Sequence, residues 1–285
     1  MFNFLLLIVG LISVLTALVI LSKWRVRDTI SRKSEVLLTV AFSAIALGAW
    51  WFVTKGAKVE DRILAPLILA SPTEVLMQFP RLHGQQQLVQ NAITSFFRVT
   101  EGFGFAALLA IPLGIYMASF PRIASFFRPL TLVGSYVPIV VFVPLTLAWF
   151  GMTELQKVTF LFIGCFVVLL PQVIKIVTAI PVAYLDVART KGATQWQLIT
   201  KVIFPVAKAD IWDQLRGVYG VGWGWIILAE VVNANTGLGY MISMAERRGH
   251  TDAMFAIIIV IIVIAILCDQ IWKYAGILLF PYRNR

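Results

Sequence analysis

The sequence predicts an all-α polytopic membrane protein. Hydrophobic residues fill 60% of the 285 positions and charged residues only 13%, with a mean hydropathy of +0.87. Soluble domains are not built this way. Several apolar runs approach the roughly 20 residues that a helix needs to span a bilayer. The runs are continuous rather than alternating, which disfavours a β-barrel. One membrane domain fills the chain and leaves no room for a soluble enzyme domain. The net charge of +10 belongs to membrane topology and not to nucleic acid, because the basic residues cluster at the ends of the runs.

Taken in order, Phe2–Ser22 is an uninterrupted apolar run followed by Lys23, Arg25 and Arg27. A signal peptide carries its charge before the run, so this reads as a retained span with its N-terminus outside. Arg32 and Lys33 extend the basic cluster into a cytoplasmic loop. Val36–Thr54 is the second span, with Trp50 and Trp51 as interfacial anchors. Residues 55–100 form an external segment in which Val75–Leu82 and Leu88–Arg98 are amphipathic. Gly102–Ala118, Leu130–Phe150, Val158–Ile180, Gln214–Val232 and Ala253–Trp272 are the remaining spans, about seven in all. Prolines inside them (Pro112, Pro138, Pro144, Pro171) are tolerated where neighbouring helices satisfy the freed carbonyls.

Leu185–Asp213 is the longest polar interruption of the second half. A short helix near Asp186–Lys191 stops at Gly192, a residue that takes the left-handed conformation at helix ends. Thr194 and Gln197 have the spacing of a capping box for a second helix. Leu198, Ile199, Val202 and Ile203 make one apolar stripe, and Pro205 stops or bends it. The result is an amphipathic elbow suited to docking a soluble partner.

The elbow resembles the EAA loop of ABC importer permeases: Glu-Ala-Ala, three residues, Gly, nine residues, Ile-x-Leu-Pro. Here the positions are Asp186-Val187-Ala188, Gly192 and Val202-Ile203-Phe204-Pro205. Every spacing is kept, while Asp, Val, Val and Phe replace the usual Glu, first Ala, Ile and Leu. Flanking segments resemble the nitrate, sulfonate, taurine and bicarbonate branch of that family. They are Ser71-Pro72-Thr73-Glu74-Val75, Ser95-Phe96-Phe97-Arg98-Val99-Thr100-Glu101-Gly102-Phe103, Ile111-Pro112-Leu113-Gly114, and Ala229-Glu230 followed by Gly237-Leu238-Gly239.

The resemblance implies a MetI-like (type I importer) transmembrane domain over residues 36–285, preceded by an additional span and basic loop at 1–35. It also implies that residues 185–213 couple to a separate ATPase subunit, with Asp186, Ala188, Arg189, Gly192, Ala193, Trp196 and Pro205 at the contact. The implied partners are an ATPase dimer, a second permease copy that makes a homodimer, and an external binding protein that delivers a small anion. The excess of Lys and Arg in residues 23–33, 122–128, 189–216 and 273–285 places the elbow and the C-terminus in the cytoplasm of a bacterial-type inner membrane.

No G-x-x-x-x-G-K-[ST] phosphate loop is present, so ATP and Mg belong to the partner. Asp, Glu and His converge at no catalytic spacing. Cys165 and Cys268 lie in apolar runs, and His83 and His250 lack metal-ligand spacing. For the translocation path the candidates are Gly217, Gly220, Trp223, Gly224 and Glu230, because backbone N–H groups at glycines can meet an anion without a dedicated cation. Gly220 and Gly224 also form a GxxxG pair that permits close helix approach. Glu230 either faces the path or orders the Gly237–Tyr240 turn. The alternative to an ATP-driven importer is an ATP-independent channel or ion-coupled carrier, which calls for ionisable pairs facing one another between spans.

Overall fold

The computed structural model describes residues 30–56 and 62–284. The expected first span, Phe2–Ser22, lies outside the described residues. The chain divides into two units, Met1–Lys55 and Gly56–Arg285, a boundary that assigns the second expected span to the first unit. That unit contributes helix α1, Arg32–Thr54. Ser31 caps it by accepting the Ser34 N–H, and the helix is apolar around its whole circumference, as a membrane span requires.

The second unit begins with α2, Pro72–Gln86. Its start follows from the sequence: Ser71 and Glu74 form a reciprocal capping box and Pro72 occupies the first turn. Helix α3 is Leu88–Ser119, α4 is Pro121–Tyr136, and α5 is Phe142–Phe150, entered through a 3-10 turn at Ile139–Val141. Helix α6 is Glu154–Thr178, α7 is Val182–Thr190, and α8 is Gln195–Leu198. A π turn at Ile199–Ile203 joins α8 to α9, Phe204–Asn233. Helices α10, Leu238–Arg247, and α11, Thr251–Leu279, complete the unit.

The core is the pairing of α3 with α6, onto which α9 packs. Between lipid-immersed helices there is no water to expel, so close van der Waals contact has to drive association. Helix α3 meets that demand with Gly102, Ala106, Ala110 and Gly114, a small residue every four positions along one buried face. A methyl on Gly102 would lie 2.5 Å from Leu161 Cβ and 3.0 Å from the Val158 carbonyl. Leu161 and Val173 of α6 are fully buried against this face at Gly102 and Gly114, while Phe160 of the same helix packs with Val143 of α5 and Ala229 of α9.

Five described helices are long and apolar enough to cross a membrane, and Ile139–Phe150 is a shorter apolar helix. Two expected spans differ from what is found. Leu130–Phe150 is not one span: the chain breaks at Val137-Pro138, since proline removes an N–H and disfavours helical geometry in the residue before it. Conversely, Leu88–Arg98, read as an amphipathic segment ahead of the span, and Gly102–Ala118 are one helix of 32 residues, because the polar groups of the first half are used internally.

Candidate functional site

The elbow is rigid at backbone level. Helix α7 ends in a Schellman motif, with Ala193 N–H donating to the Ala188 carbonyl at 3.1 Å and Gly192 N–H to that of Arg189 at 2.9 Å. The motif needs a left-handed residue, and Gly192 supplies it at φ 78. Thr194 then caps α8: its hydroxyl accepts the Gln197 N–H and its own N–H donates to Gln197 Oε1. The spacing from Ala188 to Gly192 to Thr194 is therefore the spacing of one helix stop followed at once by one helix start.

Of the two outcomes expected at Pro205, a stop or a bend, the helix does not stop. Residues Gln195–Val232 run as one helix. The π turn absorbs the proline: Phe204 N–H reaches back to the Ile199 carbonyl, and the wider turn gives the Pro205 ring room against the preceding carbonyls. On the elbow Val182, Tyr184, Val187 and Trp196 are all more than half exposed. Asp186 and Arg189 form a solvent-facing ion pair at 3.0 Å. Beneath the elbow, Phe120, Val177, Leu185, Arg189, Leu198 and Ile203 line a cavity of about 240 Å³ against the ends of α3 and α6.

About 30 Å away, roughly twenty residues back along α3, lies a buried ion network. Asn91, Ser95 and Arg98 share one face of that helix. Arg98 donates from Nη1 to Glu230 Oε1 at 2.7 Å, and from Nε and Nη2 to both oxygens of Glu154 at 2.6 Å. It also donates to the Thr236 carbonyl and hydroxyl at 2.8 and 3.0 Å. Glu230 has no exposed surface. It accepts from Ser95 Oγ at 2.8 Å and from Gly239 N–H at 2.9 Å. Leu238 N–H donates to Ser95 Oγ and Gly237 N–H to Asn91 Oδ1. The N–H groups that open α10, which no helix can satisfy internally, are thus met by α3 and α9. Of the two roles read for Glu230, ordering the turn is the one its contacts describe. Lys157 adds a weaker contact to Glu154 at 3.3 Å.

The other pathway candidates divide. Gly217, Gly220 and Gly224 lie on one exposed face of α9, with nothing within 4 Å of where a side chain would start. No described element of this chain makes the close approach that Gly220 and Gly224 permit. Trp223 is buried about a quarter-turn around the helix from that face, its ring 6.3 Å from that of Phe96. Sequence reasoning missed Arg98 as a functional residue. The signal was present: a positive charge four residues before a glycine on the small-residue face has to find carboxylates inside the bundle.

The chain thus carries a capped amphipathic elbow at one end of a multi-span helical bundle and a buried ion network towards the other. Residues 110–275 match the family model described as binding-protein-dependent transport system inner membrane component. An ABC transporter permease protein of Methanocaldococcus jannaschii is 30% identical over 251 residues, 88% of this chain and 93% of that protein. The taurine transport system permease protein TauC of Escherichia coli is 30% identical over 252 residues, covering 87% and 88%. The bicarbonate transport system permease protein CmpB of Synechococcus elongatus is 27% identical over 257 residues, covering 88% and 90%. Among solved structures, the MetNI methionine ABC transporter in inward-facing conformations matches with a TM-score of 0.60 at 17% identity, over 66% of this chain and 94% of that one. The chain belongs to the family of binding-protein-dependent inner-membrane transport components.

It is accordingly an ABC importer permease: a multi-pass inner-membrane transport subunit whose ATPase is a separate subunit and whose substrate arrives on a binding protein. The facing pairs that a carrier would call for do occur, as Arg98–Glu230 and Arg216–Asp269, but family membership decides against the ATP-independent reading.

Proposed function

We propose that this permease carries a small oxyanion or sulfonate-type anion, and that residues 185–213 dock on the ATPase subunit. The observation that carries the docking role is the elbow itself: Tyr184, Val187 and Trp196 stand exposed on a backbone fixed by a helix stop and a capping box. Asp186, Ala188, Arg189, Gly192, Ala193 and Pro205 hold or flank that surface. Taurine, aliphatic sulfonates and bicarbonate are the cargoes named for three relatives, and they share a small anionic head.

The orientation has the N-terminus outside and the elbow and C-terminus in the cytoplasm, with residues 1–35 an additional span and loop before the transport domain at 36–285. Two copies of the chain meet across the open glycine face of α9, where Gly217, Gly220 and Gly224 border the path. ATP binding draws the ATPase subunits together and carries the two elbows with them. Because α8, the π turn and α9 are continuous, that displacement reaches the glycine face without an intervening hinge loop.

The test is Gly192→Trp. The position has space for a ring but its φ of 78 strains any L residue. The variant is expected to insert and fold while transport of the anion, and stimulation of the ATPase by loaded binding protein, fall to background. Normal uptake by that variant would remove the docking role. Failure of taurine, sulfonate, nitrate and bicarbonate alike to raise ATPase activity would remove the substrate class and leave the docking role intact.

A further inference from the structure

We infer that the cleft between the elbow-side ends of α9 and α11 is a binding site for the phosphate of an acidic phospholipid. The inference rests on the chain spanning a membrane and not on its cargo or its docking role.

The cleft has a volume of about 330 Å³ and is lined by Trp212, Asp213 and Arg216 of α9 and by Trp272, Lys273 and Phe280 of α11 and its end. Its walls are fixed. Trp212 donates from Nε1 to the Trp272 carbonyl at 3.0 Å, and the two indoles lie 4.6 Å apart. Gly276 makes room for this, since a methyl there would stand 2.9 Å from Trp212 Nε1. Arg216 is held by both oxygens of Asp269 at 2.5 and 2.6 Å. Lys208 lays its ammonium 5.7 Å from the Phe280 ring and 5.8 Å from Tyr282.

Three features select the ligand. Within the cleft Arg216 and Lys273 stand against Asp213 and Asp269, and Lys208 over the Phe280 ring adds a third cation at its edge, so the local balance favours one further negative charge. The cations sit beside paired tryptophans, the arrangement found where a span leaves the hydrocarbon for the headgroup layer. The cleft is bounded on α11 by Ile277, which is itself partly exposed and borders an exposed apolar strip that continues around that helix through Tyr274 and Leu278, a surface on which acyl chains can lie. A free anion would use the charges but gain nothing from the strip. Basic pockets between spans near a membrane surface recognise acidic headgroups on the same grounds.

The experiment is native mass spectrometry of the full chain released from detergent micelles after titration with phosphatidylglycerol, phosphatidylcholine or inorganic phosphate. Phosphatidylglycerol is expected to be retained in preference to phosphatidylcholine. Lys208→Gln and Lys273→Gln should each weaken retention about fivefold, in line with one basic side chain at a membrane surface, while Arg122→Gln with Arg128→Gln should not. Inorganic phosphate should not displace the lipid at equal concentration. Unchanged retention in the folded lysine variants, or equal retention of phosphatidylcholine, would overturn the assignment. Displacement by phosphate or taurine at equal concentration would overturn it in favour of a small-anion site. Lys273 lines the cleft and Lys208 stands over Phe280 at its edge, and a thermal melt of each variant separates loss of lipid from loss of fold.

Discussion

The two ends of the helical bundle use the same chemistry to opposite effect. At one end Arg98 and Glu230 meet with almost no solvent exposure. At the other Asp186 and Arg189 meet with more than half of each side chain exposed. An exposed pair gains about 0–1 kcal/mol because water screens it. A buried pair contributes little net stability over apolar packing, yet breaking it strands a charge at a cost of about 3–5 kcal/mol. The network end is therefore locked by what its loss would leave behind. The elbow end is shaped by backbone caps and leaves its side chains free for a partner.

The sharpest way to break this contrast is Arg98→Ala. It strands Glu230 and should lower stability by about 3–5 kcal/mol, seen as a large drop in the melting temperature of the detergent-purified protein. A melt like that of the unaltered protein would mean that the network holds nothing. Glu230→Gln should cost less, about 1–3 kcal/mol. Its amide oxygen can still accept from Gly239 N–H, and Arg98 retains Glu154. Gly192→Ala should cost about 1–2 kcal/mol of local strain while barely moving the melt, because the elbow's neighbours do not depend on it. Its effect should emerge in ATPase stimulation.

Smaller again is the pH dependence of the α2 start. The Arg62 guanidinium, which donates to both oxygens of Glu74 at 2.9 and 3.2 Å, holds that carboxyl at about 2 against an ordinary 4.5. A depressed carboxyl contributes above its unfolded value and loses the contribution as pH falls through its folded value. The melting difference between the unaltered protein and Glu74→Gln should therefore be constant from neutral pH to about 4.5 and vanish only near 2. Asp186→Asn completes the series, with a change within about 1 kcal/mol.

Much of this was legible in the residues. The helix stop at Gly192 and the start at Thr194 followed from capping rules alone, because such rules act within one turn. Sequence reasoning fell short where distant partners decide. Leu88–Arg98 reads as amphipathic because Arg98 and Ser95 are polar, and only the fold reveals that Glu154, Glu230 and the α10 N–H groups lie opposite them. Gly220 and Gly224 drew notice as a packing pair, whereas the packing within this chain uses Gly102, Ala106, Ala110 and Gly114. A four-residue repeat of small residues names a face but not its neighbour. Pro205 left a stop or a bend open, because a π turn, which takes up one extra residue, is not written in any local composition.

That extra residue sets a phase. Each position of an α-helix advances about 100°, so shortening Ile199–Ile203 by one residue would restore a regular helix and swing Trp196 and the rest of the elbow about a quarter-turn around the axis of α9. The angle between the exposed surface of the elbow and the glycine face is thus indexed by a single position. Segments exchanged between related permeases should function only when the seam preserves that count.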